Sequence, residues 1–229
     1  RALGERWLDA LVLGHRQRHH TRPATLLAQA LPVAALVSSL EDGHPLRALA
    51  PHRPCTAGQR WRQDGVDFEF LHPAAAALAA ATPATRANTL SCVLRVQAAS
   101  GASALLTGDI EAAQEAALVR EAGERLRSTV LWVPHHGSRT SSTADFIAAV
   151  APRVAVVQAA HRSRFGHPAP AVLARYAAAG VAVVATPACD AWRWHSTPAA
   201  AGPTAAAPGV CTRDQRRRYW HHPGHPGPD

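Results

Sequence analysis

Methionine is absent from the 229 residues, and phenylalanine and tyrosine number only 4 and 2. A core without large, adaptable side chains has to be built from small ones. Alanine supplies much of the 47% hydrophobic content, so thin, closely packed strands and helices are expected. Close cysteine pairs are missing too. Cys55, Cys92, Cys189 and Cys211 stand far apart with no C-x-x-C spacing, which argues against a thiolate zinc site and a dense disulfide framework. Cys92, inside an apolar stretch, reads as a small buried hydrophobe. No apolar run approaches the ~18 residues of a membrane span, and no signal peptide opens the chain, so the piece reads as soluble. Acid is scarce: 16 Asp and Glu stand against 24 basic residues dominated by Arg, a formal net charge of +8. Such a surplus favours phosphate-rich partners through counterion release. A GC-rich coding bias yields the same surplus, so charge alone assigns no partner.

What is present is a strand–helix alternation. Leu11 to Leu13 is a short apolar strand that stops at Gly14-His15, and Ala24 to Leu31 reads as a helix before the apolar run Val33 to Val37. Val66, Phe68 and Phe70 alternate with Asp67 and Glu69, as in a half-buried strand. Strands follow at Ser91 to Val96 and Ala104 to Leu106, then a helix over Glu111 to Ala122 with Asp109 as its expected N-cap. Val130 to Val133 and Val154 to Val157 are buried strands, Ala144 to Val150 and Pro170 to Ala179 helices, and Val181 to Ala185 and Trp192 to Trp194 complete the pattern. An α/β layered fold with mixed sheets is expected. Residues 1–195 read as the domain. Residues 196–229 read as a tail, rich in Ala and Pro up to Gly209 and basic from Arg213 to Arg218.

The chemistry lies at the strand ends. His15 follows the first strand, with His19 and His20 close behind; Asp109 follows another, His135 and His136 a third, and His161 and His167 a fourth. Taken singly, each is an ordinary strand-end or loop residue. Gathered at one edge of a sheet, they form the kind of site α/β enzymes build. Histidine and aspartate suit Zn²⁺ or Mn²⁺, and two ions about 3.5–4 Å apart polarise a phosphodiester and stabilise its leaving oxygen. His44, His52, His72 and the tail histidines have no such placement and read as surface or loop residues.

Several runs carry a family resemblance. Leu105-Leu106-Thr107-Gly108-Asp109-Ile110-Glu111, Val133-Pro134-His135-His136-Gly137-Ser138-Arg139-Thr140-Ser141-Ser142 and Arg162-Ser163-Arg164-Phe165-Gly166-His167-Pro168 resemble the C-terminal metallo-β-lactamase-like domain of the ComEC DNA-uptake proteins, of proteobacterial type. Asn88 to Val96, Asp67 to Pro73, Leu8 to Leu13 and the ending Arg218-Tyr219-Trp220-His221 resemble the same family in the same order. The resemblance implies an αββα sandwich, N-terminally truncated because the family's glycine-rich opening strands have no counterpart. It implies two divalent ions, Mn²⁺ or Zn²⁺, no small-molecule cofactor, and a nuclease that degrades the non-transforming strand. DNA and the membrane channel part of the same polypeptide would be its partners, at the bacterial inner membrane on the periplasmic side. His15, His19, His20, Asp109, His135 and His167 are the implied metal ligands, Asp109 bridging. Asp109, His135 and His136 are the implied catalytic group, one histidine serving as proton donor. Ser138, Arg139, Thr140 and Ser141, expected to start a helix, would hold phosphate with Asn88.

The chain departs from the family at one place. The family motif H-x-D-x-D-H-x-G-G has aspartates two and four residues after its first histidine; here those positions are Gln17 and His19, and the glycine pair is Arg22-Pro23. Gln is a poor ligand for a hard dication, and Arg-Pro restricts the backbone. Clustering at four positions suggests a local reading error or decay, which resequencing the coding DNA would decide. Two alternatives therefore stand beside the nuclease: a metal-poor relative that guides DNA, and a stand-alone hydrolase of small esters or lactams. The basic balance and the His-His-Gly-Ser signature count against the second.

Overall fold

The computed structural model describes residues 6–161, 163–196 and 209–215. Arg162 and the basic aromatic ending from 216 onward lie outside the described residues. In chain order the elements are β1 (Leu11–Leu13), α1 (Arg18–Ala30), β2 (Leu36–Ser38), β3 (His52–Pro54), β4 (Arg60–Gln63), β5 (Val66–His72), α2 (Ala75–Ala79), β6 (Val93–Ala98), β7 (Ser103–Leu106) and α3 (Ala112–Ala122). There follow β8 (Val130–Trp132), α4 (Ala144–Val150), β9 (Val154–Val157), α5 (Pro170–Ala178), β10 (Ala182–Ala185), α6 (Thr186–Cys189), β11 (Trp192–Trp194), β12 (Gly209–Cys211) and α7 (Thr212–Gln215).

The strands form a parallel sheet β1-β2-β3 and a seven-stranded sheet β10-β9-β8-β7-β6-β5-β4, parallel from β10 to β7 and antiparallel from β7 to β4. Alternation of side chains across each strand sorts the core into layers. From the small sheet, Leu11, Leu13 and Leu36 pack with Ala24 of α1, while Val12 and Val37 point the other way, onto Phe68, Phe70, Leu94 and Leu106. From the large sheet, Val93, Leu105, Leu131, Ala155 and Val157 face Leu118, Phe146, Ile147, Val172 and Tyr176 of α3, α4 and α5. The result is α1, small sheet, large sheet, helices: the αββα sandwich. The Asp64-Gly65 pair joins β4 to β5 with both residues at positive φ, the two-residue turn that matches strand twist.

The small sheet covers only part of the large one. Over the remainder, Val130, Val154 and Val156 pack with Trp132, Trp192 and Trp194. Trp192 to Trp194 pairs antiparallel with Gly209 to Cys211, and a Cys189–Cys211 disulfide fastens the ribbon. A second disulfide joins Cys55 to Cys92. Cys92 is buried, as its apolar stretch suggests, but it is also disulfide-bonded, because strand topology and not chain spacing brings these cysteines together. Four further expectations need correction. The first helix begins at Arg18, so His19, His20 and Arg22-Pro23 lie in its opening turns and not in a loop. The cap of α3 is Glu111, in a reciprocal pair with Gln114, not Asp109. The helix after the histidine pair begins at Ala144 with Thr143 as its cap, not at Ser138. His72 lies on β5 and His52 on β3. Among the described residues no helix is long and apolar enough to cross a membrane.

Candidate metal centre

Two sheets build the site. β1 delivers His15, buried completely, from the small sheet; β7 delivers Asp109 from the large one, with 3% of its side chain exposed. The expected single sheet edge is thus a seam between two. Asp109 is held in place by its own backbone N–H, which donates to Ser91 Oγ (3.1 Å). Gly108 precedes it at φ +56°, and a Cβ there would stand 3.1 Å from that of Ser91, so glycine is required on both counts. α1 brings His19 and His20 in its first turn.

Around the Asp109 carboxylate, His15 Nε2 and His19 Nε2 lie 3.0 and 3.3 Å from Oδ2, and His20 Nε2 and His136 Nε2 lie 3.7 Å from Oδ1. The donor atoms of His15, His19, His20 and Asp109 all fall within 4.8 Å of one another. Ligands at ~2.0–2.1 Å from a tetrahedral ion stand about 3.3 Å apart. Moreover, His15 Nε2 and His20 Nε2 are buried with no hydrogen-bond partner, although a carboxylate is near. Three imidazole nitrogens thus converge on one carboxylate at ligand-to-ligand spacing, and this donor set fits a metal ion. Electrostatics agree. Burial alone would raise the Asp109 carboxyl, but His15 and His20 overcome it and hold the group far below the usual carboxylate range. Burial pushes His15 and His19 below the ordinary imidazole value, which favours the neutral form that ligates.

The turn after β8 separates its two histidines. His135 and His136 both take left-handed backbone angles, φ 49° and 56°, a conformation that is costly outside glycine and clusters at functional sites. His136 Nδ1 lies 2.7 Å from the Gln158 carbonyl. A carbonyl only accepts, so the proton sits on Nδ1 and Nε2 presents a lone pair, 3.4 Å from His19 Nε2. His135 turns away, its Nδ1 3.3 Å from both Glu111 Oε1 and Thr140 Oγ1. Its Nε2 is 3.4 Å from the amide nitrogen of Asn88, whose oxygen accepts from the Gln17 side chain (3.0 Å). His167 lies beyond, its ring centroid 6.0 Å from that of His135, with Nδ1 buried and unpartnered.

The expected phosphate residues are placed unevenly. Ser138 and Ser141 are buried, and Ser141 Oγ donates to the Pro134 and Ser138 carbonyls. Asn88 is buried as well, whereas Arg139 and Thr140 are exposed beside His135. Three supporting residues escaped the sequence reading. Glu111 adjoins Asp109 in sequence and Ser91 lies in the Asn88 to Val96 run, so both carried a signal; Gln158 carried none, since only its backbone is used.

No family model matches the chain. It is 38% identical to competence protein ComA of Neisseria gonorrhoeae over 185 residues, 81% of this chain and 25% of that protein. It is 33% identical to recombination protein 2 of Haemophilus influenzae over 171 residues, 73% and 20% respectively. The chain thus spans a quarter or less of the length of these curated relatives. Among solved structures it is similar to the metallo-β-lactamase fold protein YhfI of Bacillus subtilis, with a TM-score of 0.49 at 12% identity, covering 78% of this chain and 74% of that one.

Proposed function

We propose that this chain, a ComEC-like metallo-β-lactamase-fold domain, serves DNA uptake as a divalent-metal-dependent hydrolase that cleaves phosphodiesters of the non-transforming strand. The convergence of His15, His19, His20 and Asp109 on one point carries the reading. A bound divalent ion supplies Lewis-acid polarisation of the phosphate and a nucleophile at neutral pH. The chain's own groups do the rest. His136, its tautomer set by Gln158, completes the nitrogen wall. His135, poised between Glu111 and Thr140, is placed to hold a proton for the leaving oxygen. Arg139 and Thr140 offer charge and a hydroxyl to the phosphate. Phe165, 66% exposed and nearly parallel to the His167 ring, offers a face on which a base can stack. The membrane channel part of the same polypeptide and a periplasmic position at the inner membrane belong to this proposal, supported by two disulfides, which persist in oxidising compartments.

A second reading, a relative that guides DNA without cutting it, is favoured by Gln17, whose amide is committed to Asn88. The deciding experiment incubates the purified chain with end-labelled single-stranded and duplex DNA, with Zn²⁺ or Mn²⁺ or with chelator. Cleavage that disappears with chelator and in Asp109→Ala supports the hydrolase. DNA binding without cleavage under every metal condition replaces it with the second reading.

A further inference from the structure

We infer that the centre holds one four-coordinate ion of the zinc type, not the pair implied by the resemblance. The inference rests on the metal-dependent reading above but goes beyond it in count and kind. Charge is the first ground. Two dications about 3.5–4 Å apart repel strongly in a buried site unless carboxylates lie between and around them. Among the described residues the cluster contains a single carboxylate, Asp109. Glu111, two residues on, is turned to His135 and Thr140. One dication with one carboxylate leaves a single positive charge, which a hydroxide or a phosphate oxygen would cancel only as a fifth ligand.

Geometry is the second ground. The position where an acid would widen the site is occupied by Gln17, which faces Asn88 instead. The other such position, His19, closes inward to 3.3 Å from Asp109 Oδ2 and 3.4 Å from His136 Nε2. These separations are those of ligands sharing one small tetrahedral ion. His167 stands 6.0 Å from His135 between ring centroids and is not among the four residues whose donor atoms lie within 4.8 Å of one another. Donor type is the third ground: imidazole nitrogens select zinc over manganese and magnesium, which prefer oxygen. Binding has one local cost. The Gln17 backbone N–H donates to His15 Nδ1 at 3.2 Å, and ligation through Nε2 moves the ring proton to Nδ1 and forfeits that contact.

The test counts ions in the full 229-residue chain by mass spectrometry after dialysis against excess Zn²⁺ or Mn²⁺, with calorimetric titration of each. About one zinc per chain is expected, with manganese held at least roughly tenfold more weakly. Substitution with Co²⁺ should give the intense visible absorption of tetrahedral cobalt. His19→Ala should abolish tight zinc binding while the circular dichroism of the chain stays unchanged. Two ions per chain, or manganese bound as tightly as zinc, overturns the inference and leaves the hydrolase reading standing. One zinc per chain without DNA cleavage does the reverse. Absence of any bound ion overturns both.

Discussion

The residues that support Asp109 matter as much as those that face it. Ser91 accepts the Asp109 N–H through its hydroxyl and takes a hydrogen bond from the His72 ring at its carbonyl (2.8 Å). Ser91→Ala removes the acceptor and frees the carboxylate to swing. Zinc affinity should fall about 10–100-fold, the usual effect of losing a group behind a ligand, read by competition with a chelating dye. Gly108→Ala combines a left-handed φ with a 3.1 Å approach to Ser91, and should lower stability by about 1–3 kcal/mol in urea unfolding. At this scale the sequence was readable only in part. His15, Asp109 and the histidine pair announced themselves by following apolar strands. Which histidine of the pair faces the carboxylate did not, because both sit in left-handed turn geometry and the choice is made by a backbone carbonyl at Gln158 that no side chain marks. His72 read as a surface residue for a similar reason: its role depends on a cross-strand neighbour, not on its own surroundings in sequence.

Elements are joined by acidic side chains as well as by apolar surface. Glu115 of α3, fully buried, accepts from the Thr143 N–H at 2.8 Å and from the neighbouring Ser142 N–H, so it fixes the loop that enters α4. Glu115→Ala strands the buried Ser142 N–H and frees the half-buried Thr143 N–H, and should cost about 1–3 kcal/mol, seen as a lower denaturation midpoint with an unchanged slope. On β5, Glu69 meets Arg60 of β4 (2.8 Å) and Arg125 after α3 (2.6 Å). Burial by itself raises the Glu69 carboxyl, but the two guanidiniums overcome it and hold it below its usual value. A depressed folded pKa stabilises above the unfolded value of about 4.3 and loses that contribution as pH falls through the folded one. Glu69→Gln should therefore lower the melting temperature at pH 7, with the difference from the parent vanishing in acid. Strong apolar runs such as Val130 to Val133 and Val154 to Val157 were legible as strands. β3, β4 and β12 were not, since Pro, Arg and Gly dominate them and their pairing comes from neighbours. The start of α1 was hidden because Gln17 provides no side-chain cap.

For the whole molecule, the disulfide ribbon covers a sheet face that the small sheet leaves open. Cys189→Ser should free β12 and destabilise by about 2–4 kcal/mol, the usual range for a native disulfide, measured by thermal unfolding with and without reductant. The segment read as a tail thus contains, in residues 209–215, a strand and a short helix packed on the domain. That could not be read from a stretch of Ala, Pro and Gly, because its strand pairs with Trp192 to Trp194 and its cysteine with Cys189, both set by partners far away in sequence.

The centre draws His15 from one sheet and Asp109 from the other, with α1 reaching across, so an ion there is a rivet through the sandwich. Removing it loosens the seam between layers before it disturbs either layer. A protein tethered at both ends and pulled would open first along that line, and the force needed would rise with zinc concentration, because an ion that binds only the closed form adds its binding free energy to closure.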